Sequence, residues 1–123
     1  MINNDLNIYV LQHKPYLNKH KSLENRVPLQ VGSWDKEQFC IMRDCDGDNI
    51  SNKNKVYLET TGHYWVLKND IHSEYVGVEH CCRQFLEFDT SDKVLEILKD
   101  YDIILPQKSF TEHTIEKTYA LCH

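Results

Sequence analysis

Apolar and polar positions alternate along the chain in blocks that read as strands and helices in turn. Residues 6–11 (Leu-Asn-Ile-Tyr-Val-Leu) are a short apolar run of strand length, closed by Pro15. A polar, irregular loop over 18–26 precedes a second short strand at 28–31, which stops at Gly32. Residues 34–42 form only a weak helical candidate, and 43–51 are the most polar stretch of the chain. Ser51 or Asn54 can cap one long helix running to about residue 69, with Leu58, Thr61 and Trp65 turned to the sheet and Tyr57, Tyr64 and Lys68 forming a flanking stripe. Gly62 inside that helix marks a close approach to a neighbouring element.

The stretch 75–85 begins with Tyr75-Val76-Gly77-Val78, read as a buried central strand, and turns ionisable at Glu79, His80 and Arg83. Thr90 or Ser91 caps a helix over 92–99 with Val94, Leu95 and Leu98 on its apolar face. Residues 101–105 (Tyr-Asp-Ile-Ile-Leu) read as another buried strand before Pro106, and 111–122 as a last helix with Ile115, Tyr119 and Cys122 on one side. Strands alternating with helices imply parallel pairing through right-handed crossovers, hence an α/β domain spanning 1–123. In such sheets ligands bind outside the carboxyl ends of the strands, so His80 and Arg83, at the exit of this strand, are candidates for chemistry. The bland alternative is that both are ordinary polar residues at a strand end.

Composition narrows the function classes. With 41% hydrophobic and 27% charged residues in 123, the chain is a folded domain, and no apolar run approaches the ~20 residues of a membrane span. A net charge of −5 without a basic stripe argues against nucleic-acid binding. The N-terminus carries no secretory pattern, which points to the cytoplasm and reduced thiols; five cysteines without Cys-x-x-Cys spacing fit neither a disulfide framework nor a zinc site. Asp44, Asp46 and Asp48 fall at positions 1, 3 and 5 of a calcium-loop register, yet position 6 is Asn49 and position 12 is Lys55, so no metal ligand is assigned. No Asp-x-Asp pair ends a strand, so a divalent metal has no clear motif. The four scattered glycines build neither a phosphate loop nor a dinucleotide fingerprint. Cys/His nucleophilic catalysis by Cys81 or Cys82 with His80 is disfavoured because strand neighbours point to opposite faces.

Several motifs in register resemble one family: Ile8-Tyr9-Val10 with His13-Lys14-Pro15-Tyr16; residues 28–32; Arg43-Asp44 with Gly47-Asp48-Asn49-Ile50-Ser51; Asn54, Glu59-Thr60, Tyr64-Trp65 and Lys68-Asn69; Tyr75-Val76-Gly77 with His80; and residues 101–106. Together they are similar to the N-terminal half of bacterial capsular and exopolysaccharide glycosyltransferase-like proteins, a family known as domain of unknown function 4422. The resemblance implies a GT-A-like, Rossmann-type, mostly parallel sheet, present here in incomplete form, that holds a nucleotide-sugar donor and transfers the sugar to a saccharide or lipid-linked saccharide acceptor at the inner face of the membrane. It implies donor-site roles for His13, Lys14, Asp48, Asn49, Tyr64 and Lys68, and catalytic roles for His80 and Arg83, the latter on phosphate oxygens. Where the family reads His-Tyr-Arg-Arg-Tyr-Phe, this chain reads His80-Cys81-Cys82-Arg83-Gln84-Phe85. A truncated member, inactive alone, is one expectation; a noncatalytic binding or assembly module that self-associates or docks a protein partner through the apolar face of 111–122 is the alternative.

Overall fold

The computed structural model describes residues 5–15, 25–81 and 91–105. Four strands, β1 (Leu6–Gln12), β2 (Arg26–Gln30), β3 (Met42–Arg43) and β4 (Tyr75–His80), form one sheet in the order β3-β2-β1-β4, with every pair parallel. Three helices accompany them: α1 (Asn54–Tyr57), α2 (Thr60–Asn69) and α3 (Ser91–Leu98), with 3-10 turns at Ser33–Asp35 and Ser51–Lys53. The architecture is the α/β one that the alternating pattern implies, with the Rossmann-type parallel sheet that the resemblance implies.

β1 is the strand buried on both faces, which is why its sequence is an almost unbroken apolar run. On one face Tyr9 and Leu11 join Val27, Leu29 and Val31 beneath Val66 and Trp65 of α2. On the other, Leu6 and Ile8 meet Val94, Leu95 and Leu98 of α3, as the apolar face of that helix predicts. The stretch expected to be the central strand is instead β4, which has β1 on one side and no strand on the other among the described residues. Val76 is accordingly half exposed.

Two further expectations are corrected. The single helix over 51–69 is three pieces, because Leu58 adopts φ 53, ψ −136 between α1 and α2. Asn54 stabilises that break: its side-chain amide donates to Leu58 O (2.8 Å) and Thr61 Oγ1 (3.0 Å). Leu58 is thereby carried away from the sheet and lies exposed, whereas Thr61 and Gly62 are buried at the start of α2. Gly62 behaves as its position in the sequence predicts, since a Cβ there would lie 2.6 Å from Val31 Cγ1 and 2.9 Å from Leu11 Cδ2. The second correction is residues 101–105, which form no strand: Tyr101, Ile103 and Leu105 are exposed and only Ile104 packs on the α3 side of the core. A short apolar run satisfies a strand pattern equally well when it lies as irregular chain over a core. Between this segment, β4 and α3 lies a cavity of about 620 Å³ lined by Leu6, Ile8, Gly77, Val94, Leu98 and Ile104 among others. The 34–42 segment holds only the Ser33–Asp35 turn of its candidate helix. The helix expected over 111–122 lies outside the described residues.

Across the α3 face, Arg26 of β2 reaches over β1 to Glu79 of β4 in a bidentate pair, Nε to Oε2 at 2.9 Å and Nη2 to Oε1 at 3.0 Å, both side chains almost fully buried. Glu79, which in sequence looks like part of the strand's polar exit, is thus part of the sheet's packing. At the other end of α2, Asp70 accepts from Tyr9 Oη at 2.7 Å and from Ser73 Oγ at 2.6 Å, tying the α2–β4 turn to β1. Burial together with the hydrogen bond and charge of Asp70 pushes the Tyr9 phenol well above its ordinary value. Burial alone would raise the Asp70 carboxyl, but the donors Ser73, Tyr9 and the His72 amide outweigh it and hold it below the carboxylate range.

Candidate functional site

Because all four strands are parallel, their carboxyl ends share one edge of the sheet. The chain steps from β1 outward to β2 and β3, then returns so that β4 lies on the opposite side of β1. This reversal makes β1/β4 the switch point of the sheet, the position at which open α/β sheets leave a crevice for a ligand. Leu11 and His80 are partners in the register, and the Cys81 amide donates to Leu11 O at 3.1 Å. His13 and Lys14 follow β1 two and three positions past Leu11, the partner of His80, so all three stand at the same carboxyl edge on neighbouring strands. All three are exposed. His80 follows Val78 by two residues and so shares the α2 face of the sheet. The Cys81 sulfur, buried, lies 3.8 Å from His80 Nδ1. Strand alternation does not separate the two side chains here, because Cys81 has already turned out of β4. Arg83 lies outside the described residues.

The next stretch of the edge is organised by a carboxylate. Asp44, fully buried just after β3, accepts five hydrogen bonds: from the Gly32 amide (2.8 Å), the Ser33 amide (3.1 Å), Ser33 Oγ (2.8 Å), Ser51 Oγ (2.6 Å) and Thr61 Oγ1 (2.7 Å). All five donors are neutral. They come from the turn after β2, the turn before α1 and the start of α2, so one side chain fixes three segments. Gly32 makes this closeness possible with φ 63, in a space where a Cβ would lie 2.6 Å from the Asn54 side chain. The Ser51 hydroxyl also accepts the Trp34 amide at 3.2 Å. Nothing in sequence periodicity singles out Asp44 from its polar neighbours; only the returning turns reveal it.

The remaining candidates, Asp48, Asn49, Tyr64 and Lys68, gather against the outer side of α2. Tyr64 Oη donates to Asp48 Oδ1 at 2.9 Å, and that hydrogen bond, with smaller contributions from desolvation and the Asp48 charge, raises the Tyr64 phenol. The Lys68 ammonium sits 5.8 Å from the Tyr64 ring centroid. Asn49 folds into its own loop, donating to Cys45 O and Gly47 O and accepting the Ser51 amide at 3.2 Å. Trp65 Nε1 donates to Asp46 O and Asn69 Nδ2 to Asp48 O, at 2.6 and 2.8 Å, fastening the loop to α2. The loop leaves from β3, three strand spacings or about 14 Å from β4. His13, Lys14 and His80 thus share the edge where β1 and β4 end, while Asp48, Asn49, Tyr64 and Lys68 are grouped separately.

The three aspartates of the calcium-loop register are engaged with different partners: Asp44 in the buried hub, Asp46 with the Arg43 guanidinium at 3.1 Å, Asp48 with Tyr64. Among the described residues no three His, Cys, Asp or Glu side chains converge to hold a metal ion, and no helix is long and apolar enough to cross a membrane.

The chain is similar to one part of the bifunctional glycosyltransferase WbbM in its apo structure, with a TM-score of 0.55 and 41% identity, covering 63% of this chain and 14% of that one. No curated protein is significantly similar to it. The family model described as Domain of unknown function (DUF4422) matches residues 7–123, and with nearly its whole length inside that match the chain belongs to this family.

Proposed function

We propose that this is a glycosyltransferase-like domain that seats a nucleotide-sugar donor at the carboxyl edge between β1 and β4 and takes part in building a capsular, exocellular or lipopolysaccharide glycan. The observation that carries the reading is the switch point itself: β1, which runs out into His13-Lys14, and β4, which ends at His80, are neighbouring strands that leave the sheet at the edge where such sheets receive ligands. The similarity to WbbM supports the same chemistry. In the proposed reaction an acceptor hydroxyl attacks the anomeric carbon of the donor while its bond to the nucleoside diphosphate breaks. Lys14 and His13 face the diphosphate that leaves, with Arg83 following His80 in sequence as a further cation. The His80 imidazole takes the proton of the attacking hydroxyl. The acceptor is a saccharide or a lipid-linked saccharide, the latter requiring the domain to work against the inner membrane face. The cavity beside β4 is largely apolar-lined and suits a diphosphate poorly.

Titration calorimetry with UDP-glucose, GDP-mannose and the parent diphosphates tests the reading. Binding of at least one donor, weakened tenfold or more by Lys14→Ala and by His80→Ala, is the expected result. No binding across the series, or binding indifferent to both substitutions, would overturn it. A noncatalytic assembly module is favoured by one observation, the exposed Tyr101, Ile103 and Leu105, the last two lining the cavity beside β4. That reading requires self-association or a bound partner, and a monodisperse monomer in light scattering counts against it.

A further inference from the structure

The two tryptophans are used in opposite ways. Trp65 donates its indole N–H to Asp46 O and packs edge-on against Tyr9, ring centroids 6.2 Å apart. Trp34 is 53% exposed, and among the described residues its indole makes neither a hydrogen bond nor a ring contact. Its backbone is nevertheless held by hydrogen bonds on both sides of the turn's start. The Gly32 and Ser33 amides before it end on the Asp44 carboxylate, its own amide ends on Ser51 Oγ, and the Ser33–Asp35 turn follows directly from β2 at the carboxyl edge. A large flat ring presented to solvent from a fixed backbone is prepared for stacking, because little chain entropy is lost when a ligand covers it.

Resting on the donor-site reading above, we infer that Trp34 is the stacking platform for the nucleobase of the donor. The order of groups along the edge assigns the base, not the sugar, to this ring. The sugar must lie at His80, on the β4 side, for its acceptor to lose a proton there. The diphosphate then lies at His13-Lys14, at the end of β1, and the nucleoside extends over the end of β2, where Trp34 stands. Adjacent strands are about 4.8 Å apart, so this span from β4 across β1 to β2 is on the scale of the ligand's successive groups. Stacking is tolerant of base identity, since every base offers a π-face, so Trp34 contributes affinity while discrimination among bases falls to other groups.

The test compares the wild-type chain with Trp34→Ala and Trp34→Phe, using UDP, GDP, UDP-glucose and inorganic pyrophosphate as probes in calorimetry, with the indole N–H signals followed by NMR. Expected are a loss of about 5- to 150-fold in affinity for the preferred nucleoside diphosphate in Trp34→Ala, unchanged pyrophosphate binding, and near-complete retention in Trp34→Phe, which keeps an aromatic face. The Trp34 indole signal should move on addition of nucleotide while that of Trp65 stays in place. The inference is overturned if Trp34→Ala leaves nucleotide affinity unchanged, weakens pyrophosphate equally, or weakens UDP-glucose without weakening UDP. Wild-type protein that binds pyrophosphate as tightly as UDP or GDP would also overturn it, with the phosphate crevice left standing. If it binds none of the four probes, the donor-site reading itself falls and the inference with it.

Discussion

Substituting Asp44 by alanine removes the common acceptor of five hydrogen bonds in a fully buried position. Thr61 has a second acceptor in Leu58 O at 3.2 Å, so its hydroxyl is not stranded. The Gly32 and Ser33 amides and the Ser33 and Ser51 hydroxyls are. Each stranded buried donor costs about 1–3 kcal/mol, and water entering the space left by the carboxyl recovers part of it. The expected loss is about 3–5 kcal/mol, a large share of the ~5–15 kcal/mol that holds a typical domain folded. Asp44→Asn keeps one carbonyl oxygen but sets an amide N–H against the Gly32 amide or the Ser33 pair, so about 1–3 kcal/mol is expected for it. Urea unfolding measures both: the midpoint should fall in the order wild type, Asn, Ala with the slope unchanged. Amide exchange should show the Gly32 and Ser33 protons losing protection well before those of β1. A shift below about 1 kcal/mol for Asp44→Ala, or unchanged protection at Gly32 and Ser33, would refute the view that this carboxylate holds the carboxyl edge in shape.

Gly62→Ala should lower stability by about 1–3 kcal/mol by overpacking against Val31 and Leu11, although alanine is the better helix former by about 1 kcal/mol; a rise in the urea midpoint would contradict the close approach. Arg26→Met alone should cost about 3–5 kcal/mol by leaving Glu79 buried without its bidentate partner, while the double change Arg26→Met with Glu79→Leu should recover most of it. A double-mutant cycle showing no coupling would remove the pair from the list of sheet-holding contacts. For pH, the Asp70 carboxyl is held low in the folded state, so its contribution is present above its unfolded value of about 3.9 and lost as pH falls through the folded one. Tyr9 is raised, so its contribution is present below about 10 and lost as pH climbs beyond. Unfolding midpoints followed with pH should show a shallower acid limb in Asp70→Asn and a shallower alkaline limb in Tyr9→Phe; limbs identical to wild type would count against the network.

β1, most of β2, β4 and α3 were legible because their signals are local, whereas β3, two residues between a weak helical candidate and a polar stretch, was not. The apolar run of β1, the strand-to-polar transition at His80 and the Val94-Leu95-Leu98 stripe each lie within a few residues. What sequence could not give was decided by partners far along the chain. Arg26 and Glu79 are 53 residues apart, and Asp44 meets Thr61 across 17. The break at Leu58 depends on the Asn54 side chain capping a kink that helical periodicity alone would run through. Of the candidate residues, His13, Lys14 and His80 were readable as strand exits, and their common edge follows from the parallel pairing of β4 with β1. Asp48, from the loop after β3, and Tyr64 and Lys68 of α2 carry the right chemistry but are drawn to one another. Trp34 was overlooked because it lay in a segment read only as a weak helix.

The most direct test of the account is a backbone amide NMR titration of the chain with the nucleotide sugar it binds best. Shifts are expected to concentrate at residues 12–15, 32–34 and 80–81, just where β1, β2 and β4 leave the sheet. Shifts confined to 46–49 and 64–69, or to the cavity beside 102–105, would contradict it, as would an unperturbed spectrum at saturating donor.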